Sequence, residues 1–152
     1  MREITLEEAK KICEGAVEYA KKIGRPIAIM VLDAHGYYKC FNWMDNGKIG
    51  NIDLAIKKAW TAVAFKRPSS ITAEVCQQPG TPVFGLNVSE PRMFALGGGL
   101  IIQDPEDNYR MIGGVGVSGG TIDEDTACCE AGLRAAGFPA EFKGDASMPV
   151  KK

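Results

Sequence analysis

The segment that most constrains this chain is Ile112-Gly113-Gly114-Val115-Gly116-Val117-Ser118-Gly119-Gly120, followed at once by Thr121-x-x-Glu124. Glycine alternating with valine reads as a strand so thin that another backbone packs directly on it. T-x-x-E is a capping box, so a helix starts immediately after the strand. Two familiar patterns are embedded here, and neither suits its usual use. Gly114 to Gly119 spells G-x-G-x-x-G, but the dinucleotide fingerprint belongs to a βαβ unit and no further strand pattern follows the helix. Asp123, Glu124 and Asp125 would also repel a pyrophosphate at that helix start. Gly116 to Gly120 spells G-x-S-x-G, the nucleophile elbow, which needs a histidine later in the chain. His35, the single histidine, comes earlier. Gly116 therefore reads as a point of close backbone approach. Ser118 reads as a hydrogen-bond donor, lining a pocket or satisfying the turn.

The rest of the chain supplies the partners. Thr5 and Glu8 form a first capping box, with Ile12, Cys13, Ala16, Val17, Ala20 and Ile23 at helical spacing, and Gly24 and Pro26 end that helix. Ile27 to Leu32 predicts a strand buried on both faces, Asp33 to Gly36 a turn, and Tyr37 to Met44 the returning strand. Asn51 is expected to cap a second helix that Pro68 stops, with Lys57, Lys58, Lys66 and Arg67 on its solvated side. Ser69 or Ser70 is expected to cap a short helix through Gln77. Gln78 to Arg92 reads as irregular, with Val83 to Val88 as an optional strand. Phe94 to Gln103 and Tyr109 to Ser118 predict two more strands. In the last helix the small residues Ala127, Cys128, Ala131, Gly132 and Ala135 are expected to be buried. Hairpins dominate, and strands do not alternate with helices. The pattern is α+β, a mostly antiparallel sheet with helices on its faces. One domain is expected over residues 1–137, and a loose tail over 138–152.

With 18 basic and 19 acidic residues the net charge is −1, which argues against non-specific binding to nucleic acid or anionic lipid. The longest apolar run is far too short to span a bilayer. The five cysteines form no CxxC, which fits a reducing cytoplasm better than a disulfide framework. A single histidine excludes a multi-histidine metal site within one chain. Asp33 and His35 lie two apart at a strand end, and alternation would place both on one side. An aspartate there can orient the imidazole for proton transfer or for axial ligation of a metal. Alternatively, Asp33 bonds the turn backbone and His35 is solvated.

Taken together, these motifs resemble the GlcG / HbpS / PduO C-terminal family, the haem-degrading domain family, from about Ile4 to Gly137. The resemblance rests on Thr5-Leu6-Glu7-Glu8-Ala9, Val31 to Gly36, Met44-Asp45-Asn46-Gly47 and Ala55 to Ala62. It rests above all on Ile112 to Gly120 followed by Asp125, Ala127 and Ala131-Gly132-Leu133. It implies a profilin-like fold with a central antiparallel sheet flanked by helices, assembled as a homo-oligomer. It further implies association with haem, with corrinoid-dependent diol metabolism, or with glycolate utilisation. The leading expectation is a cytoplasmic ligand-binding accessory protein for a tetrapyrrole or a small organic acid or aldehyde. Asp33, His35, Gly98, Gly99, Gly116 and Ser118 are its candidate ligand-binding residues. His35 is the candidate haem ligand, with Tyr37, Cys40 or Met44 next in line. The alternatives are a small acid–base enzyme using Asp33 and His35, and a structural subunit without a ligand.

Overall fold

A computed structural model describes residues 2–144. Helix α1 (Leu6–Ile23) begins where expected: the Thr5 hydroxyl accepts the Glu8 N–H at 3.1 Å, and the Glu8 carboxylate accepts the Thr5 N–H at 3.0 Å. Gly24 ends it in the left-handed conformation, φ 69°. Strands β1 (Ala28–Asp33) and β2 (Tyr38–Trp43) form the first hairpin. Strands β3 (Gly99–Asp104) and β4 (Arg110–Ser118) form the second, turned by a short 3-10 segment, Pro105–Asp107. β4 also pairs antiparallel with β1, so the sheet order is β2-β1-β4-β3. The α+β expectation with an antiparallel sheet is met.

Helices cover both faces. Helix α2 (Gly50–Phe65) packs Ala59, Ala62 and Val63 against Met30, Leu32, Ile101 and Met111. On the other face α1 and α5 (Ile122–Ala135) pack Ile12, Ala16, Cys129 and Leu133 against Ile29, Val31, Ile102, Val115 and Val117. Successive residues of β1 thus feed opposite cores, which is why the strand is apolar throughout. The thin strand has its expected use. A Cβ at Gly116 would overlap the Ala55 carbonyl and the Ala59 amide, and one at Gly99 would overlap the Lys58 carbonyl. The backbone of α2 therefore rests directly on the sheet. Of the small residues of α5, Cys128 and Gly132 are buried, and a Cβ at Gly132 would meet the Ile12 carbonyl of α1.

Several local expectations give way to tertiary contacts. Asn51 does not cap α2, which follows Ile49 with no side-chain cap; its Oδ1 instead accepts the Ser118 hydroxyl at 3.2 Å. Lys58 is not on a solvated face. It is 1% exposed, with Nζ 2.8 Å from Asp125 Oδ2 and 3.1 Å from the Val117 carbonyl. Helix α3 (Ser69–Gln77) follows Pro68 without a serine cap, because the Ser69 hydroxyl bridges the Leu96 carbonyl and the Gly99 N–H. The segment from Val83 to Val88 is no strand: it leads into a four-residue helix, α4 (Leu86–Ser89). Strand β3 starts at Gly99 rather than Phe94, since Gly98 sits at φ 112° and breaks the extended run. Phe138 is buried in the core, and Gln103 accepts the Lys143 N–H and donates to the Gly144 carbonyl. The first part of the expected tail is therefore packed, while residues 145–152 lie outside those described. No described helix is long and apolar enough to cross a membrane.

Candidate functional site

The first hairpin turn is built by Asp33. Its Oδ1 accepts the N–H of His35 at 2.9 Å and of Tyr37 at 3.0 Å, and its carbonyl accepts the N–H of Gly36 at 3.1 Å. Short polar side chains commonly satisfy turn amides within such reach. The consequence is that the Asp33 carboxylate orients backbone rather than imidazole. The His35 ring stays exposed, with Nε2 3.0 Å from Glu3 Oε1.

Between this turn and α2 lies a cavity of about 510 Å³, a size suited to a cofactor-sized ligand. His35, Tyr37 and Tyr38 line it from the hairpin, Lys57 and Trp60 from α2, and Arg92 from the segment after α4. The helix period brings Lys57 and Trp60 to one face. The Arg92 guanidinium lies 4.4 Å over the Trp60 ring, and Glu90 holds its fork with two bonds of 2.9 Å. The same contacts hold the Glu90 carboxyl down at about 2. Aromatic rings with a polar handle suit a flat conjugated ligand, and basic groups beside them suit its carboxylates. Asp53 also lines the cavity, so the rim carries both signs.

The six candidates from the sequence fall into two places. Asp33 and His35 are at the cavity end. Ser118 pairs with Ala28 and Asp33 with Gly113 across the β1–β4 ladder, which puts the two ends about 16 Å apart at roughly 3.3 Å per residue. Gly98, Gly99 and Gly116 lie toward the Ser118 end, closed under α2 and against Lys58, and none lines the cavity. Among the cavity residues that the sequence did not point to as a site are Trp60 and Arg92, and Lys57, expected only on a solvated helix face. Trp60 reads as an ordinary core position of an amphipathic helix, and Arg92 sits in a segment without periodicity. Among the described residues no group of three or more His, Cys, Asp or Glu side chains is placed to hold a metal ion.

A sheet between two helix layers, with a cavity of aromatic and charged residues at the tip of its first hairpin, defines a small α+β domain. The chain belongs to the HbpS-like family, described as haem degrading protein HbpS-like, whose family model matches residues 4–134. It is 34% identical over 132 residues to an uncharacterised 15.0 kDa protein from the dhaT-dhaS intergenic region of Citrobacter freundii, covering 86% of this chain and 89% of that one. It is 30% identical over 133 residues to the corrinoid adenosyltransferase PduO of Salmonella typhimurium. That match covers 87% of this chain and 38% of PduO, so the chain spans well under half of that relative's length. Among solved structures, the PduOC–haem complex superposes with a TM-score of 0.85 at 27% identity, covering 93% of this chain and 100% of that one.

Proposed function

We propose that this chain binds haem or a related tetrapyrrole in the cavity between the first hairpin and α2. The observation that carries the reading is the make-up of that cavity: Trp60, Tyr37 and Tyr38 among its lining, with Lys57, Arg92 and His35, and Asp53 as the one acid. These residues fit the group. Tyr37 and Tyr38 would pack against the macrocycle, Lys57 would pair with a carboxylate, Arg92 would do so on exchanging Glu90 for the ligand, and His35 is the imidazole available to its metal. Bound haem would supply a redox-active iron whose behaviour depends on its axial ligand and on the polarity of the pocket. The haem bound by the relative PduOC makes this ligand the first to test. The acid–base alternative finds no support in an Asp33–His35 pair, because the Asp33 carboxylate is taken up by backbone amides.

Titrating ferric haem into the wild type and into Trp60→Ala is the direct test. A shifted Soret band that saturates near one haem per chain, and is weakened in Trp60→Ala, is the expected result. A wild type whose absorption shifts with neither haem nor a corrinoid overturns the reading. Running the same titration with a corrinoid separates the two tetrapyrroles, and a thermal shift with a small organic acid or aldehyde tests the simpler ligands. We also propose self-association. Among the described residues strand β2 is an edge of the sheet, with Tyr38 and Trp43 exposed, and such patches mark interaction surfaces. A monomer mass by light scattering at micromolar concentration counts against it.

A further inference from the structure

The two edges of the sheet are finished differently. Along β3, the Ser69 hydroxyl accepts the Gly99 N–H at 2.9 Å, and the chain after α5 returns to the strand. Phe138 enters the core, Phe142 shares a narrow gap with Leu100 and Ile101, and the Gln103 side chain bonds the backbone of Lys143 and Gly144. Along β2 nothing of this kind is found among the described residues. The Met44 N–H donates to the Ile27 carbonyl at 3.0 Å. In an antiparallel ladder that bonding alternates, so the N–H and C=O groups of Phe41 and Trp43, opposite Met30 and Ala28, point away from β1. None of these groups has a partner among the described residues. The side chains are left open too. Helix α2 rests on β1, β4 and β3, and Tyr38, Phe41 and Trp43 beyond it are 66%, 37% and 47% exposed. A groove of about 550 Å³ follows this edge, with Val17 and Lys21 of α1 on one side and Phe41, Trp43 and Asp45 on the other.

An aromatic edge strand without proline is a template for a further strand, and folded chains cover such edges. This chain covers β3 itself and leaves β2 to another chain. We propose that β2 pairs antiparallel with β2 of a second copy across a two-fold axis, joining two four-stranded sheets into one. Charge selects both that partner and that direction. Lys39 lies near the start of β2 and Asp45 just past its end, and neither makes an ion pair among the described residues. Lys21, at the Asp45 end, is taken by Glu18 at 3.6 Å. Antiparallel pairing sets Lys39 of each copy toward Asp45 of the other, whereas parallel pairing sets like charges side by side. A two-fold contact uses one patch twice, so the match is made in both halves. A net charge of −1 opposes the approach little. The inference rests on the self-association proposed above, for which it names the surface and the geometry, and it is independent of the ligand.

The test combines light scattering with residue-resolved hydrogen exchange on the full chain at micromolar concentration. The proteins are the wild type, Phe41→Lys, Lys39→Glu and the charge swap Lys39→Glu with Asp45→Lys. The wild type should have the mass of a dimer or a multiple of it. Its Phe41 and Trp43 amides, which have no partner within one chain, should exchange slowly. Phe41→Lys brings two like charges together across the paired edges and should weaken association by about tenfold or more, with fast exchange at both positions. Lys39→Glu should weaken it by about three- to tenfold, since two symmetric cross-strand pairs are lost. The charge swap should recover most of that loss, which a variant with a damaged edge would not do. An assembly whose Phe41 and Trp43 amides exchange freely overturns the edge pairing and leaves self-association standing. A charge swap no tighter than Lys39→Glu overturns the antiparallel two-fold arrangement. A monomeric wild type overturns both the pairing and the self-association.

Discussion

Lys58 and Asp125 lie 2.8 Å apart with 2% and 3% of their side chains exposed, whereas His35 and Glu3 lie 3.0 Å apart with 67% and 48% exposed. The two contacts are nearly equal in length and sit at opposite ends of the sheet. The Lys58–Asp125 contact joins α2 to α5, and its remaining bonds are made: Lys58 Nζ to the Val117 carbonyl, and Asp125 Oδ1 to the Gly120 N–H at 2.8 Å. Burial pushes the Asp125 carboxyl up, against the pull of Lys58 and of that N–H. Taking one member away leaves an unpaired charge in a dry place. At the exposed contact, water replaces either partner at little cost. Distance alone says almost nothing about what a contact contributes; burial decides it. The closed end of the sheet carries stability, and the open end is free to carry binding.

The largest expected effect breaks the closed end. Lys58→Ala should destabilise the fold by about 3–5 kcal/mol, as read by urea unfolding, because Asp125 is left buried without its cation. The double variant Lys58→Met with Asp125→Leu should recover most of that loss, since well-packed apolar residues often replace a buried pair without penalty. A double variant as unstable as the single would show that the charges themselves are needed. Next comes Gly116→Ala, expected to cost about 1–3 kcal/mol in the same measurement. The new methyl meets the backbone of α2, which cannot rotate away. A neutral result would mean that α2 does not rest on β4.

Smaller effects sharpen the open end. Asp33→Ala removes two side-chain bonds to turn amides and should cost about 1 kcal/mol. Hydrogen exchange of the His35 and Tyr37 amides should rise with it. Acid stability tests a third contact. Arg2 holds the Glu8 carboxyl down at about 2, below its ordinary 4.5. A carboxyl lower in the folded than in the unfolded chain stabilises fully above the unfolded value and loses that contribution as pH falls through the folded one. The stability of the wild type should therefore decline between about pH 4.5 and pH 2 by under about 1 kcal/mol from this pair. Arg2→Ala should flatten that part of the profile. Least of all, His35→Ala should leave stability within about half a kcal/mol while abolishing the axial band of bound haem. A large loss of stability there would contradict the exposed placement of the ring.

What could be read from the sequence follows from the range of each interaction. Both capping boxes, Thr5 with Glu8 and Thr121 with Glu124, close over three residues and appear in the structure as predicted. The two hairpins and the buried strand β1 were legible in the same way, from turn residues beside apolar runs. Asn51 and Ser69 have the right chemistry for caps, yet each bonds a partner distant in sequence, Ser118 and Gly99. A capping preference of about 1 kcal/mol is readily outweighed by a tertiary bond of similar size. Phe94 to Gly98 has strand-like composition, but the left-handed backbone at Gly98 ends the run.

The site divides along the same line. Local pattern picked out the turn that holds His35, and the reading of Asp33 as a backbone partner was one of two left open there. Lys57, Trp60 and Arg92 reach the same cavity from a helix and a non-periodic segment, and no spacing rule relates them to residue 35. By itself, the sequence determined most of the elements, the two capping boxes, the thin glycine strand and the family, because these depend on neighbours along the chain. Only the tertiary structure decided that Lys58 is buried and paired across 67 residues, that Glu3 rather than Asp33 faces the imidazole, and that Gly116 and Ser118 lie far from the pocket. Those outcomes depend on which surfaces lose water when the layers close, a property of packed elements that no local periodicity encodes.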